Sequence, residues 1–380
     1  MHKNNPSPGR LRIINQLPPI FFPLISIIVG IYCQEIFPFN LIVLLLSTIT
    51  SFALLLFLKK TKNLKNLQIL SCLTCLFSAM LLLQQQKENH SYLLNKFCNK
   101  KLEVIANIKN KEQKADQQGE IVELEIEKIK EPWQRFYRKT NFNLLFYTKE
   151  QSKFEIQDRI KLKNLIFNTP AHKQNLNQNP SYSNYLIKEN ILCSIFTKRL
   201  YAFKISSPNF CIKRWILNTK NLLLQNIRQK LSPKTFCYFS HIFLGNKKVA
   251  PTKNLKNSFN LWGISHYLAR SGLHILLFIL IWGFLLNIFP FSIYLKKVFL
   301  LLVCVVYHLF SWTTISFARA LYVFILSQTG KILDFQTNFL HLLTLLCLII
   351  LLFNPIQLFF LDFQLTFGLA FALGLLGKLK

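Results

Sequence analysis

Acidic side chains are scarce in this chain. Asp and Glu together number 16 against 46 Lys and Arg, so the formal net charge is +30. Between Lys173 and Lys256 the imbalance sharpens, with Glu189 the one acidic residue against fifteen basic ones. That balance points to a polyanionic partner, either nucleic acid or an anionic lipid surface. A Lys- and Asn-rich composition combined with positive-inside anchoring accounts for the same charge, and charge alone does not choose between them. A P-loop is also lacking, which leaves the sequence without a nucleotide-driven motor of its own. No small-residue cleavage site follows the first apolar run, so that run reads as an anchor and not a removed signal.

What the chain has in quantity is apolar surface. Hydrophobic residues make up 51%, mean hydropathy is +0.29 and Phe occurs 36 times, the composition of a polytopic membrane protein. Ile20–Phe37, Leu41–Leu58 and Leu67–Leu83 each approach the ~17–25 residues a crossing helix needs. Apolar spans resume at His266–Phe289, Val298–Ser311, Ser316–Thr329, Asn338–Phe353 and Ile356–Leu376, for about eight in all. Lysine placement sets the orientation. Lys3, Arg10 and Arg12 precede the first span, and Lys59, Lys60, Lys62 and Lys65 fill the turn after the second. The turn between the first and second, Pro38–Asn40, is uncharged. Lys296, Lys297, Lys331, Lys378 and Lys380 continue the alternation, which predicts a cytoplasmic N-terminus and residues 85–235 outside.

The outside region has a strand-forming first part. Leu102, Val104, Ala106 and Ile108 alternate with polar neighbours; Val122, Leu124 and Ile126 oppose Glu123, Glu125 and Glu127; Ile160 and Leu162 alternate with Arg159, Lys161 and Lys163. Asn143–Tyr147 adds a further apolar run. Four or five such strands fit a small barrel or sandwich, an OB-like barrel among them. Next, Lys213–Leu231 predicts an amphipathic basic helix stopped near Pro233, carrying Arg214, Lys220, Arg228 and Lys230. Such a helix can lie on the membrane surface or form a collar that gathers phosphates. Trp133, Arg135, Phe136, Tyr137 and Arg138 interleave aromatics with bases, as a base-stacking surface or a solvated strand edge does. Cys98, Cys193, Cys211 and Cys237 fall outside, where oxidation is open to them, and four cysteines allow three connectivities. The predicted division is 1–84 membrane helices, 85–200 β domain, 201–257 basic connector and 258–380 membrane channel domain.

The sharpest motif is His266-Tyr-Leu-Ala-Arg270-Ser271-Gly272-Leu-His274 at the mouth of a span. Residues 266, 270 and 274 stack on one helical face, and Ser271 and Gly272 leave little bulk beside them. Arginine at a membrane centre costs roughly 2.5–3.5 kcal/mol on insertion scales, so it must face a partner, a wet path or the interface. Together with Phe259 and Gly263, this run resembles the signature of ComEC-type competence proteins, the inner-membrane DNA channels of bacterial transformation. Leu244-Gly245, Asp158-Arg159-Ile-Lys-Leu, Asn179-Pro180-Ser-Tyr182-Ser-Asn-Tyr185-Leu186, Arg319-Ala320, Asn354-Pro355 and Asp362-Phe363-Gln364-Leu365-Thr366-Phe367 resemble further family segments in order, over residues 20–377. Three departures stand out: Arg270 occupies an apolar family position, Asn246 replaces an acidic residue, and the sequence stops at Lys380 without a metallo-β-lactamase-like His-x-His-x-Asp-His run.

The resemblance implies passage of one DNA strand through a helix-lined path, without nuclease chemistry and without a cofactor. It places His266, Arg270, Ser271, Gly272 and His274 at the entrance, with Arg319 and Gln364 deeper. Arg159, Lys161, Lys163, Arg214, Lys220, Arg228 and Lys230 are the candidate cations for gathering single-stranded DNA. The implied partners are single-stranded DNA, membrane lipids, periplasmic or surface DNA-delivery proteins and a cytoplasmic DNA-handling ATPase; oligomeric state stays open. Two other classes compete: a small-anion transporter, and a membrane-embedded metalloenzyme using His266 and His274. The latter is the weaker, because an i, i+8 pair converges poorly and no nearby Asp, Glu or Cys completes the site.

Overall fold

The computed structural model describes residues 18–59, 64–98, 100–113, 119–150, 152–166, 180–198, 200–208, 211–245, 261, 272–311, 315–335 and 338–379. They divide into two units. One combines the chain up to Lys87 with Ile275–Cys304 and Ile315–Lys380; the other combines Glu88–His274 with Val305–Thr314.

The first unit is helical. Its N-terminal helices are α1 (Phe21–Ile36), α2 (Leu41–Lys59) and α3 (Leu64–Phe97). Helix α3 continues past the predicted end at Leu83 because Gln84–Lys96 contains no Gly or Pro and is rich in good helix formers. The predicted boundary at residue 84 therefore falls inside a helix, and the division between units comes after Lys87. Gly30 on α1 is required for a close approach: an added Cβ would meet the Leu76 carbonyl of α3 at 2.5 Å. Serines and threonines inside the apolar helices satisfy themselves locally. Ser47, Thr48, Thr50, Ser51, Ser71, Thr74 and Ser78 each donate to the carbonyl three residues back.

The C-terminal helices are α7 (Gly272–Ile288), α8 (Ile293–Phe310), α9 (Ile315–Ile332), α10 (Phe339–Phe353) and α11 (Leu361–Leu379), numbered after three helices of the second unit given below. Helix α10 packs against α1, α9, α11 and the short 3-10 turn Pro355–Phe359. It buries Leu340, Leu343, Cys347 and Leu351 accordingly. The last predicted span, starting at Ile356, is instead split: Pro355 opens the 3-10 turn, Phe360 is extended, and α11 starts only at Leu361. In contrast to α10, helices α2 and α7 expose large apolar residues, such as Ile42 at 67% and Phe284 at 71%. Such surface is stable against lipid and not against water. Among the described residues two helices, α3 over Asn66–Phe97 and α8, are long and apolar enough to cross a membrane; α1, α2, α7, α10 and α11 contain shorter apolar stretches.

The second unit is built on a six-stranded sheet: β1 (Lys101–Gln113), β2 (Glu120–Lys130), β3 (Arg138–Thr148), β4 (Arg159–Ile166), β5 (Ile191–Thr197) and β6 (Phe203–Ser206). Strand order is β5-β3-β2-β1-β4-β6, with β3 and β5 parallel and the other pairs antiparallel. The period-two residues form its interior. Leu102, Val104, Ala106, Ile108, Val122, Leu124, Ile126, Ile160 and Leu162 join Phe142, Phe146 and Leu192 in one cluster, and Phe97 of α3 packs on Phe142 with ring centroids 5.9 Å apart. Gly119, at φ +99°, turns the chain into β2 against the Thr148 carbonyl, where a side chain would collide with backbone.

Three further helices complete the second unit: α4 (Pro180–Lys188), α5 (Ile212–Lys230) and α6 (Pro233–Ile242). Pro233 does more than stop the basic helix. It is the first residue of α6, whose N-cap Ser232 accepts a hydrogen bond from Thr235 N–H. No disulfide joins any of Cys98, Cys193, Cys211 and Cys237. Burial in the sheet interior pushes the Cys193 thiol up to about 12, with Cys98 close enough to add to the shift.

Candidate functional site

Helix α11 presents Phe363, Gln364 and Phe367 on adjoining positions. Phe363 and Phe367 are buried at 2% and 3% exposure, their ring centroids 4.6 Å apart, so the aromatic pair fixes this face of the helix. The guanidinium of Arg319, half-buried on α9, lies 5.8 Å from the centroid of the Phe367 ring. That contact contributes roughly 0.5–2 kcal/mol, depending on how far the pair is desolvated. Among the described residues no carboxylate lies within ion-pair distance of Arg319, and no hydrogen-bond acceptor occupies its five N–H donors. The arginine is thus held by an aromatic face, with no compensating charge among the described residues.

Beside it, the Gln364 side-chain amide donates to the Leu358 carbonyl at 2.8 Å and to the Tyr32 hydroxyl at 3.3 Å. These bonds tie α11 to the 3-10 turn and to α1. Tyr32 also meets Phe359 edge-to-face at 5.6 Å. More amides gather in the same unit. Gln34, at 3% exposure, donates to Gln84 at 2.9 Å, and Gln86 donates to Asn354 at 3.2 Å while its own oxygen stays buried without a partner. Sequence reading identified Arg319 and Gln364 but not Phe367, Tyr32 or the amides. A lone Gln in a helix-ending polar run carries no signal of its own.

The signature is described only in part. His266, Arg270 and Ser271 lie outside the described residues; Gly272 begins α7 and His274 is half-exposed in its first turn. Among the described residues no group of three His, Cys, Asp or Glu side chains could hold a metal.

The seven candidate DNA-gathering cations separate by environment. Arg159 pairs with Glu127 at 2.8 Å, and Lys161 pairs with Glu103 at 3.2 Å. Hydrogen bonds that it donates to the Tyr137 and Glu103 side chains raise the Lys161 ammonium above its ordinary value. Lys220 is buried at 8% exposure. Arg214 is engaged on three sides: it donates to Asp158 at 2.6 Å and to the Ile156 carbonyl at 2.9 Å, and pairs with Glu155 at 3.3 Å. Asp158 itself has no exposed side-chain surface. It accepts from Ser207, from Glu155 N–H, from Lys204 and from Arg214. Burial alone would raise its pKa; these four donors outweigh burial and bring it down to about 2. By contrast Lys163, Arg228 and Lys230 are exposed and form no ion pair among the described residues, with Lys163 5.2 Å from the Phe203 ring.

Residues 242–379 match the family model described as Competence protein. The match is to this C-terminal segment. It is consistent with the ComEC-type resemblance of the His266–His274 signature, and it supports a role in competence for this segment. No curated protein and no solved structure matches the chain. The competence segment covers a little over a third of the sequence and contains Arg319, Phe367, Gln364 and His274. The whole six-stranded sheet lies upstream of it.

Proposed function

We propose that the chain carries single-stranded DNA across the bacterial cytoplasmic membrane during natural transformation, through a path lined by helices of the competence segment. The observation that carries this reading is Arg319, a guanidinium seated on Phe367 with no carboxylate partner among the described residues. Phosphates cannot cross hydrocarbon, so the strand needs a wet path with positive contacts that are weak enough to release it. A cation held by an aromatic ring, its donors without an acceptor among the described residues, meets that demand. A neutralised arginine would not.

Eight helices lie at the eight predicted spans, which supports a polytopic bundle with its N-terminus in the cytoplasm and residues 85–235 outside. Strands β1, β2 and β3 form a meander, with β4 added beside β1 and β5 beside β3. This order suits a partly open OB-like barrel that receives DNA on the outside. Gly272 and His274 stand at the entrance in this reading, together with His266, Arg270 and Ser271. A DNA-handling ATPase on the cytoplasmic side supplies the pull, and surface or periplasmic proteins deliver the duplex.

Replacing His274 by alanine lowers transformation about fivefold at unchanged membrane protein level, the loss of roughly one hydrogen-bonded contact at about 1 kcal/mol. Transformation frequency normalised to immunoblotted protein checks this. An unchanged frequency would remove the signature from the path.

A further inference from the structure

We infer that Tyr147, Phe196, Tyr182 and Tyr185, together with Lys149 and Lys198, form a stacking platform for the unpaired bases of single-stranded DNA. The platform rests on the proposed function for its ligand, and it locates the ligand on a face that none of the seven candidate cations marks.

The backbone sets the geometry. In the parallel β3–β5 pair Tyr147 stands opposite Phe196, and their rings stack at 4.7 Å with planes 13° apart. Both point away from the sheet interior, because Phe146 and Leu144 on the alternate positions of β3 fill the core. Strand β5 is the edge of the sheet, so one ring face of Phe196 is covered by Tyr147 while the side chain remains 75% exposed. Helix α4 leads directly into β5 and adds Tyr182 and Tyr185, stacked at 6.3 Å and each about two-fifths exposed. Tyr147 links the two pairs, lying close enough to Tyr182 and Tyr185 to act on them electrostatically. Burial raises the Tyr147 phenol, with Tyr182 adding to the shift; burial also raises Tyr185, with Glu189 and then Tyr147 adding to it.

Charge distinguishes this face from the rest of the sheet. Lys149 and Glu150 both donate backbone N–H groups to the Lys198 carbonyl, at 3.2 and 3.1 Å. That crossing brings Lys149 and Lys198 together two residues beyond the stacked rings. Both lysines are exposed and without an ion pair among the described residues. On β4, in contrast, Glu127 and Glu103 already neutralise Arg159 and Lys161. Three acids lie nearby: Glu150 follows Lys149, Glu189 pairs with Lys188 at 3.6 Å, and Glu123, which acts on the Tyr185 phenol, pairs with Lys109 at 2.8 Å. Exposed aromatic rings next to cations with no ion pair among the described residues suit non-specific single-strand binding, since every base has a π-face and every linkage a phosphate. Base pairs in a duplex keep their faces stacked on one another, so the same surface discriminates against double strands.

The test uses the full chain in detergent and a fluorescently labelled oligothymidine, with anisotropy read across a salt series. Phe196→Ala weakens binding about tenfold with an unchanged salt slope, the loss of one stacked base. Phe196→Trp restores it. Lys149→Ala combined with Lys198→Ala lowers the salt slope by about 1.4, two phosphate contacts on a single strand. Wild-type affinity in both Phe196→Ala and the double lysine variant would overturn the platform while leaving transport standing. Failure of the wild-type chain to bind oligothymidine at any salt would overturn the platform and the outside capture of DNA together. Equal affinity of the wild type for a duplex of the same length would also count against the platform.

Discussion

Arg319→Leu lowers uptake of transforming DNA about a hundredfold, because a charge-assisted contact to phosphate is worth roughly 1.5–3 kcal/mol and each 1.4 kcal/mol is a factor of ten. The same substitution has the opposite effect on the fold. A guanidinium without a carboxylate among the described residues, half-buried beside Phe367, is costly to place in an apolar bundle. Leucine there removes that cost, so the variant melts at or above the wild-type temperature. Opposite signs separate a functional arginine from a structural one. If Arg319 only held helices together, leucine would lower both uptake and melting temperature. Arg319→Lys keeps a positive charge but loses the planar fork that lies on Phe367, and it retains an intermediate level of uptake. Transformation frequency and thermal unfolding of the same membrane preparations check the three variants.

Asp158→Ala has the largest effect on stability, about 3–5 kcal/mol, since removing one partner of a buried pair strands the other. Arg214, whose side chain is 19% exposed, would lose its 2.6 Å partner, and Lys204 and Ser207 would lose theirs. The start of β4, strand β6 and helix α5 all meet at this carboxylate, so their docking goes with it. Asp158→Asn keeps the shape and removes the charge, which isolates the pH dependence. With a folded pKa of about 2 against an ordinary 3.8, the carboxylate stabilises the folded state fully above pH 3.8, and that stability is lost as pH falls toward 2. The size is about 2 kcal/mol at 1.36 kcal/mol per pKa unit. Thermal melts of wild type and Asp158→Asn therefore differ at neutral pH and converge toward pH 2. A difference that persisted unchanged through this window would show that shape, and not charge, is what Asp158 contributes.

Strand faces were legible wherever one side of the sheet is buried. Leu102 through Ile108, Val122 through Ile126, and Ile160 with Leu162 announce their inward positions by alternation alone, because a shift of one residue would turn every apolar side chain to water. Strand β6 is four residues long and exposed along its whole length, so Phe203–Ser206 leaves no such pattern. The continuation of α3 to Phe97 was hidden by the hydropathy drop at Gln84, which reports the end of the apolar run and not the end of the helix. Arg214 illustrates a different limit. On the sequence it is one more base on an amphipathic helix; its partner Asp158 lies 56 residues earlier, and only the tertiary fold brings them together. Likewise Tyr147, Phe196, Tyr182 and Tyr185 sit in three separate segments. In the candidate site, the resemblance marked Arg319 and Gln364 one by one, but the seating of Arg319 on Phe367 needs the packing of α9 against α11.

The most direct measurement places a photo-crosslinking phenylalanine analogue at Phe367, beside the Arg319 guanidinium, in cells taking up labelled DNA. A second strain carries the analogue at Phe284, which is 71% exposed on an apolar helix face. If the strand passes Arg319, irradiation during uptake yields a covalent adduct of single-stranded DNA at position 367 and none at 284. No adduct at 367 while DNA still enters the cell, or equal adducts at both positions, would contradict a path through the competence segment at Arg319.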